Sequence, residues 1–329
     1  APFDTSKFQC RVEYLEPSDQ ERFAVSETIG WKTPRRRPVA WLRAVEFDPD
    51  YILSVDDDNI PSPDYFDEWY RVLTTPVASR VMAVQPISSA PWHNYLRTSD
   101  APIEIYPRGF PLAFRQKFET AIRPSKTPVG PEVIGLFQGI SLGDPDMDAM
   151  TRLVYPKPLP LNAIGEKNYV LRDVWSPYNM QNTVFSKVLF PLPMLWPHAG
   201  RFDDIFASFV WQKCLFNNGM YVYVGDPVNR QDRGVRDTLN LDFREEVEGY
   251  FYSHRVWEVI NSISEKDPIA FLRKLMEHGD GLVPAEGTDL ALSRHRWSAL
   301  AGEQHIIARH RDFFSAHIKD ITRISGGVS

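Results

Sequence analysis

The sequence predicts an α/β protein built on a parallel sheet and followed by a helical tail. Three observations carry this. A helical stretch and a short loop lead into an apolar, β-rich run, Tyr51-Ile52-Leu53-Ser54-Val55, which ends directly in Asp56-Asp57-Asp58-Asn59. Further strand patterns at 81–84 and 221–224 alternate with helical patterns. From about residue 242 onward the pattern is helical. Strands alternating with helices give βα units and a parallel sheet. Active sites of such sheets lie at the carboxyl ends of strands, where Asp56 stands.

Taken in order, Arg11-Val12-Glu13-Tyr14-Leu15 alternates as a short strand. Pro17-Ser18-Asp19 reads as a turn or cap leading to a short helix through Phe23. After Arg35-Arg36-Arg37-Pro38, residues 39–47 read as a helix that Asp48-Pro49-Asp50 ends. Residues 64–75 place Tyr65, Trp69, Val72 and Leu73 at helical spacing. Residues 90–165 are rich in Pro and Gly and predict long active-site loops. A helix over 202–216 follows an acidic cap region, and the tail predicts helices over 242–265, 268–278, 289–300 and 303–322. The organisation expected is a domain over 1–241 and a helical extension over 242–329.

Composition excludes several classes. Of 329 residues, 43% are hydrophobic and 24% charged, which fits a globular chain and not a disordered or collagen-like one. The net charge of −6 lacks the basic excess that binding a nucleic-acid backbone uses. Cys10 and Cys214 form no disulfide framework, so a reducing, cytoplasmic setting is expected. No run approaches the length of a membrane span; the longest, over 188–196, is broken by Pro191 and Pro193. The 27 prolines fix many turns, and 20 Phe, 13 Tyr and 9 Trp predict a large core, a carbohydrate-facing cleft, or both.

The acidic triplet invites a cation, because three adjacent carboxylates repel one another. Hard oxygens at a strand end suit Mg²⁺ or Mn²⁺. In strand geometry Asp56 and Asp58 share one direction and Asp57 takes the other. The same residues also read as a solvated loop or a helix cap. A second pair, Asp203-Asp204, opens a helix and reads as a cap or as carboxylates for acid–base work on a sugar. A third segment, Tyr106-Pro107-Arg108-Gly109-Phe110-Pro111-Leu112-Ala113-Phe114-Arg115, sets two arginines among aromatics, a pattern for a diphosphate or a sugar face. Its glycine allows close approach to a ligand. Trp92-His93-Asn94-Tyr95 reads either as a stacking platform or as structure. The tail histidines 278, 295, 305, 310 and 317 fall at mixed spacing and read as solvated helix surface.

Five segments occur in one order: Asp56-Asp57-Asp58; Arg108 to Arg115; Gly135-Leu136-Phe137 with Asp144-Pro145-Asp146-Met147-Asp148-Ala149; Ser176 to Phe185; and Gly200-Arg201-Phe202-Asp203-Asp204. Over about residues 35 to 235 the chain resembles the reversibly glycosylated polypeptides, which are UDP-arabinopyranose mutases, and related GT-A glycosyltransferase-like proteins. The resemblance implies a GT-A fold, a Rossmann-like nucleotide-sugar-binding domain with a D-x-D motif and Mn²⁺ or Mg²⁺. It implies a glycosyltransferase or nucleotide-sugar mutase acting on a nucleotide sugar, a UDP-sugar foremost, with an unknown acceptor. Asp203, Asp204 and Arg108 are then the catalytic candidates, Arg108 standing where the family is self-glycosylated. Asp56, Asp57, Arg36, Arg37, Arg115, Asn182 and His198 would bind the nucleotide sugar, and Asp56, Asp58, Asp226 and Asp232 the metal.

The chain departs from the family in three places. Asn59 stands where the plant mutases carry Cys. No His follows the strand at 221–224, so Asp226 or Asp232 would replace it. The tail has no counterpart there and is expected to serve as an oligomer surface. Only ten residues precede the strand expected at 11–15, so the first strand of a GT-A domain is expected to be missing, supplied by another segment, or replaced. The alternatives are a non-catalytic GT-A-like module serving assembly and a carbohydrate-active hydrolase.

Overall fold

A computed structural model of the chain describes residues 9–31, 34–77, 82–86, 91–115, 120–124, 128–155, 161–165, 168–231, 239–278 and 303–326. Its strands are β1 (Tyr51–Val55), β2 (Asn59–Pro61), β3 (Met82–Pro86), β4 (Thr120–Pro124), β5 (Ile134–Gly143), β6 (Tyr169–Leu171), β7 (Asn182–Ser186) and β8 (Tyr221–Gln231). They form one mixed sheet in the order β1-β7-β5-β8-β6-β3-β4, with β2 added to β8. The protein is thus α/β, but the sheet is not the parallel one expected. Only β5–β8 and β3–β6 pair in parallel; the other five pairings are antiparallel. A tight turn at the acidic triplet, with the Asn59 N–H donating to the Asp56 carbonyl at 3.2 Å, takes the chain from β1, paired with β7, to β2, paired with β8.

The helices are α1 (Ser26–Ile29), α2 (Arg37–Val45), α3 (Tyr65–Thr74), α4 (Ala149–Val154), α5 (Asp203–Asn217), α6 (Leu239–Ser262), α7 (Pro268–His278), α8 (Glu303–Ala308) and α9 (Arg311–Gly326). On one face of the sheet α3 buries Tyr65, Trp69 and Val72 against Ile134, Phe137, Val184 and Tyr223. On the other, α5 is buried all round from Asp204 to Val210 and packs on Leu136, Ile140, Phe185, Val222 and Val224. A helix apolar on every side belongs in an interior, and this one is pinned there between sheet and tail.

The tail joins that same core through Tyr252, Val256, Trp257 and Ile260 of α6 and Phe313, Phe314 and Ile321 of α9. A Cβ on Gly249 would stand 2.2 Å from the Phe202 ring, so the approach of α6 to this loop requires glycine. Asp320 of α9 accepts the N–H groups of Ala24 (2.9 Å) and Val25 (3.0 Å), tying the last helix to the first.

Several local expectations change. Residues 11–15 belong to no strand of the sheet. The region 90–165, expected as loops, holds β4 and the central strand β5. The helix expected over 303–322 is broken into α8 and α9, and the one over 289–300 lies outside the described residues. His310 and His317 are fully buried and not solvated, because they sit on the apolar face of α9 and the turn before it. The His310 Nε2 accepts the His198 N–H at 3.1 Å, and the ring of His317 meets the Pro191 carbonyl at 3.1 Å. Burial holds both well below the ordinary imidazole range, at about 3 and about 4. Among the described residues no helix is long and apolar enough to cross a membrane.

Candidate functional site

The acidic cluster at the end of β1, the start of α2, the Arg108 loop, the segment after β5 and the start of α5 meet at one place. Asp56 leaves β1 with its N–H on the Gln181 carbonyl. Its carboxylate is ion-paired with Arg37 in the first turn of α2. Burial pushes the Asp56 carboxyl up; Arg37 opposes this, and Asp204, Asp58 and Asp146 add to it. Arg37 is the solvent-facing cation of the group, its side chain 43% exposed.

Arg108 lies behind it, 7% exposed. Its guanidinium bridges Asp146 (Nη2 to Oδ2, 2.9 Å) and Asp204 (Nη1 to Oδ1, 2.9 Å). The Arg108 N–H also donates to the Asp146 carbonyl at 2.9 Å. Burial pulls the guanidinium down, but the two carboxylates outweigh it and hold it well above its ordinary value. Gly109 has a φ of +86°, and a Cβ there would meet Ile205 Cγ2 at 2.2 Å. The glycine therefore serves the contact between this loop and α5, where the sequence suggested approach to a ligand. Asn179 donates to Asp146 at 3.2 Å. The Tyr95 phenol is raised by burial and then by Asp146, with Arg108 opposing, so it faces the same cluster.

Asp203 accepts the Asp204 N–H at 2.8 Å. Burial, and then the Asp204 charge, push its carboxyl up to about 7, with Arg108 and Arg37 opposing. An acid poised near neutrality is suited to proton transfer. The raised value has a stability consequence. Between about pH 4 and 7 the folded chain keeps a proton that the unfolded chain has released, so this group's contribution falls as pH rises through that window. Asp203→Asn is expected to gain melting temperature over the parent, and to gain more at pH 8 than at pH 5. Equal differences at the two pH values would show that Asp203 titrates normally.

A second layer supports the first. Arg201 pairs with Glu246 of α6 (Nε to Oε1, 2.7 Å) and with Asp242 at 3.5 Å. Glu246 is fully buried and also accepts the Ala149 N–H at 2.8 Å and the Tyr250 hydroxyl. Arg115 pairs with Asp148, which caps α4 by accepting the Thr151 N–H at 2.7 Å, and its guanidinium lies 4.8 Å over the Tyr106 ring.

The remaining expected residues are placed elsewhere. Arg36 donates to Gln20 at 2.8 Å and to the Glu16 carbonyl at 3.0 Å. His198 sits beside α1, its ring on the Thr28 carbonyl at 3.0 Å. Asn182 is buried within β7, accepting from the Tyr65 hydroxyl at 2.6 Å. Asp57 is exposed at the turn. Trp92 is in the core, stacked at 5.7 Å on Phe114.

Three of the four residues expected to hold a metal lie among the described residues. Asp58 accepts from the Gln231 amide at 3.1 Å, Asp56 pairs with Arg37, and the Asp58 charge is felt at Asp56. Asp226 accepts from Asn168 at 3.1 Å in a bulge of β8, and Asp232 lies outside the described residues. Among the described residues no three His, Cys, Asp or Glu side chains form a group that could hold an ion. The residues that sequence reasoning left without a role are Asp146, Arg201 and Glu246. The first two stand inside segments already singled out, whereas nothing near Glu246 marks it. Comparison with protein-family models and with curated proteins returns no match to the chain.

Proposed function

We propose that the chain is a GT-A-like enzyme acting on a nucleotide sugar, as a transferase or mutase. The observation that carries this reading is the convergence of Arg37, Asp56, Arg108, Asp146, Asp203 and Asp204 from chain segments far apart in sequence. Arg37 would take the diphosphate, exchanging Asp56 for a phosphate oxygen, an exchange that a half-exposed guanidinium permits. Asp203 would move the proton of an acceptor or sugar hydroxyl. Arg108 would fix Asp204 and Asp146 and offset part of their charge. Its strongly held proton opposes a nucleophilic role. Mn²⁺ or Mg²⁺ belongs to the proposal through the hard oxygens of Asp56 and Asp58, and no step above depends on it.

The test is a melting curve with UDP, GDP or dTDP and their sugars, each with Mn²⁺ or Mg²⁺. A nucleotide that binds the folded chain raises the melting temperature by mass action, and Arg37→Ala and Asp58→Ala are expected to remove that rise. Curves unchanged by every nucleotide would end this reading. They would favour a non-catalytic module, for which the closed pairing of Arg108 with Asp146 and Asp204 is the supporting observation.

A further inference from the structure

We propose that β1 is a docking edge, to which an extended segment of another protein, apolar in its middle and basic at both ends, adds as a further strand of the sheet. β1 lies at one end of the strand order, with β7 as its neighbour. The pairing fixes which backbone groups are left over. The Lys187 N–H donates to the Asp50 carbonyl at 3.1 Å, and the Asp56 N–H to the Gln181 carbonyl at 3.3 Å. Bonded and non-bonded pairs alternate along an antiparallel ladder. Ile52 and Ser54 therefore bond to β7, and Tyr51, Leu53 and Val55 turn their N–H and C=O groups outward. Among the described residues nothing pairs with these outward groups. The residues of β1 are accordingly half-buried or exposed, whereas β7 is buried from Asn182 to Phe185.

Native sheets defend their edges against chance pairing with proline, lysine, a bulge or a cover. β4, at the opposite end of the sheet, ends in Arg123-Pro124, and the added strand β2 contains Pro61. Tyr51-Ile52-Leu53-Ser54-Val55 carries neither charge nor proline, and its register with β7 runs without a bulge. Such an edge suits strand addition, in which main-chain bonds supply affinity and alternate side chains supply fit. Tyr51 and Leu53 pack toward α3 and offer that face to the partner's apolar middle, and Val55 beyond them is 44% exposed.

The charges at the two ends of β1 select the partner. Asp50 and Glu132 stand near Tyr51: burial raises its phenol first, and these two acids raise it further. Beyond Val55 comes Asp57, exposed at the turn. Asp48 and Asp56 are paired with Lys187 and Arg37, whereas Asp50, Glu132 and Asp57 take part in no ion pair among the described residues. A second copy of the chain fits badly, because β1–β1 pairing in either direction sets acids against acids. A partner with Lys or Arg at each end meets them with opposite charge.

This docking edge does not rest on the nucleotide-sugar reading, and its experiment contains no nucleotide. In the free chain the amides of Tyr51, Leu53 and Val55 should exchange with solvent quickly, and those of Ile52 and Ser54, bonded to β7, slowly. The probe is a labelled peptide of alternating valine and threonine with a lysine at each end. It is expected to bind saturably by fluorescence anisotropy and to slow exchange at Tyr51, Leu53 and Val55. The same peptide with glutamate at each end should bind about tenfold more weakly or worse. Val55→Pro removes an outward N–H and takes no bond from β7, so it should melt near the parent and bind the lysine peptide more weakly. If that variant melts lower, Asp50→Lys carries the test, since reversing this exposed charge should reduce the preference for lysine ends over glutamate ends. Three results would overturn the proposal. One is slow exchange at Tyr51, Leu53 and Val55 in the free chain, which means that this chain or a second copy already covers the edge. Another is equal binding of the two peptides, which reduces the contact to unselective apolar surface. The third is no saturable binding of the lysine peptide.

Discussion

Arg108→Met is expected to lower the stability of the folded chain by about 3–5 kcal/mol, the cost of leaving buried carboxylates without their cation. The loss comes from the partners more than from the arginine. Asp146 and Asp204 each give an oxygen to one guanidinium at 2.9 Å, and both are buried. Methionine fills much of the same volume, so packing alone does not account for a loss of this size. The sign of the pH dependence separates the two causes. Without the guanidinium, two like charges in a buried place push each other's pKa above its unfolded value. The folded variant then holds protons that its unfolded chain releases above about pH 4, so its stability falls as pH rises. Denaturant melts should show the deficit smallest near pH 4.5 and largest near pH 8. Adding Asp146→Asn and Asp204→Asn should return much of the loss at pH 8. A deficit independent of pH, and not relieved by the two amides, would mean that Arg108 acts through packing alone.

The same cluster shows what was legible in the sequence. Arg108, Asp56 and the Asp203 pair were marked because each is a charged group at an element boundary, where local signals are strong. Their meeting place follows from the sheet, which was only partly legible. The strand at 51–55 rests on local apolar spacing and is found there, and the helices expected over 64–75 and 202–216 on the same ground are found at 65–74 and 203–217. The antiparallel pairing of β1 with β7 depends on residues more than 120 positions apart, and no local pattern encodes it. β5 escaped notice because Gly135, Gln138, Gly139 and Gly143 interrupt its apolar run. Its burial on both faces, between α3 and α5, lets it dispense with alternation. The partners of the acids were hidden for another reason. Asp146 sits in a proline-flanked turn that resembles any loop, and only the reach of Arg108 gives it a role. The direction of Arg36 toward Gln20 and of Arg37 toward Asp56 is set by neighbouring positions on one helical turn, a distinction that only the packed N-terminal segment makes.

Glu246→Ala is expected to be as costly as the loss of Arg108, again about 3–5 kcal/mol. Three groups depend on this carboxylate: the Arg201 guanidinium, the first N–H of α4 and the Tyr250 hydroxyl. After truncation Arg201 keeps, among the described residues, its ion pair with Asp242 at 3.5 Å, and α4 begins on an unpaired donor. Arg201 stands two residues before Asp203, and α4 follows directly on the Asp146–Asp148 turn, so the damage falls on both flanks of the candidate site. The Tyr250 phenol supplies an independent readout. Burial and then Glu246 hold it above its ordinary value, so removing Glu246 should bring its ionisation toward the ordinary tyrosine range in an alkaline difference spectrum. Glu248, two residues along the same helix and so on a different face, is the internal control. Its pair with Arg309 is a partly exposed one, with side chains 28% and 24% exposed, and such pairs contribute about 0–1 kcal/mol. Glu248→Ala should therefore melt close to the parent. If both variants melted alike, α6 would be joined to the site by apolar packing alone, and Glu246 would not couple the tail to the acids of α5.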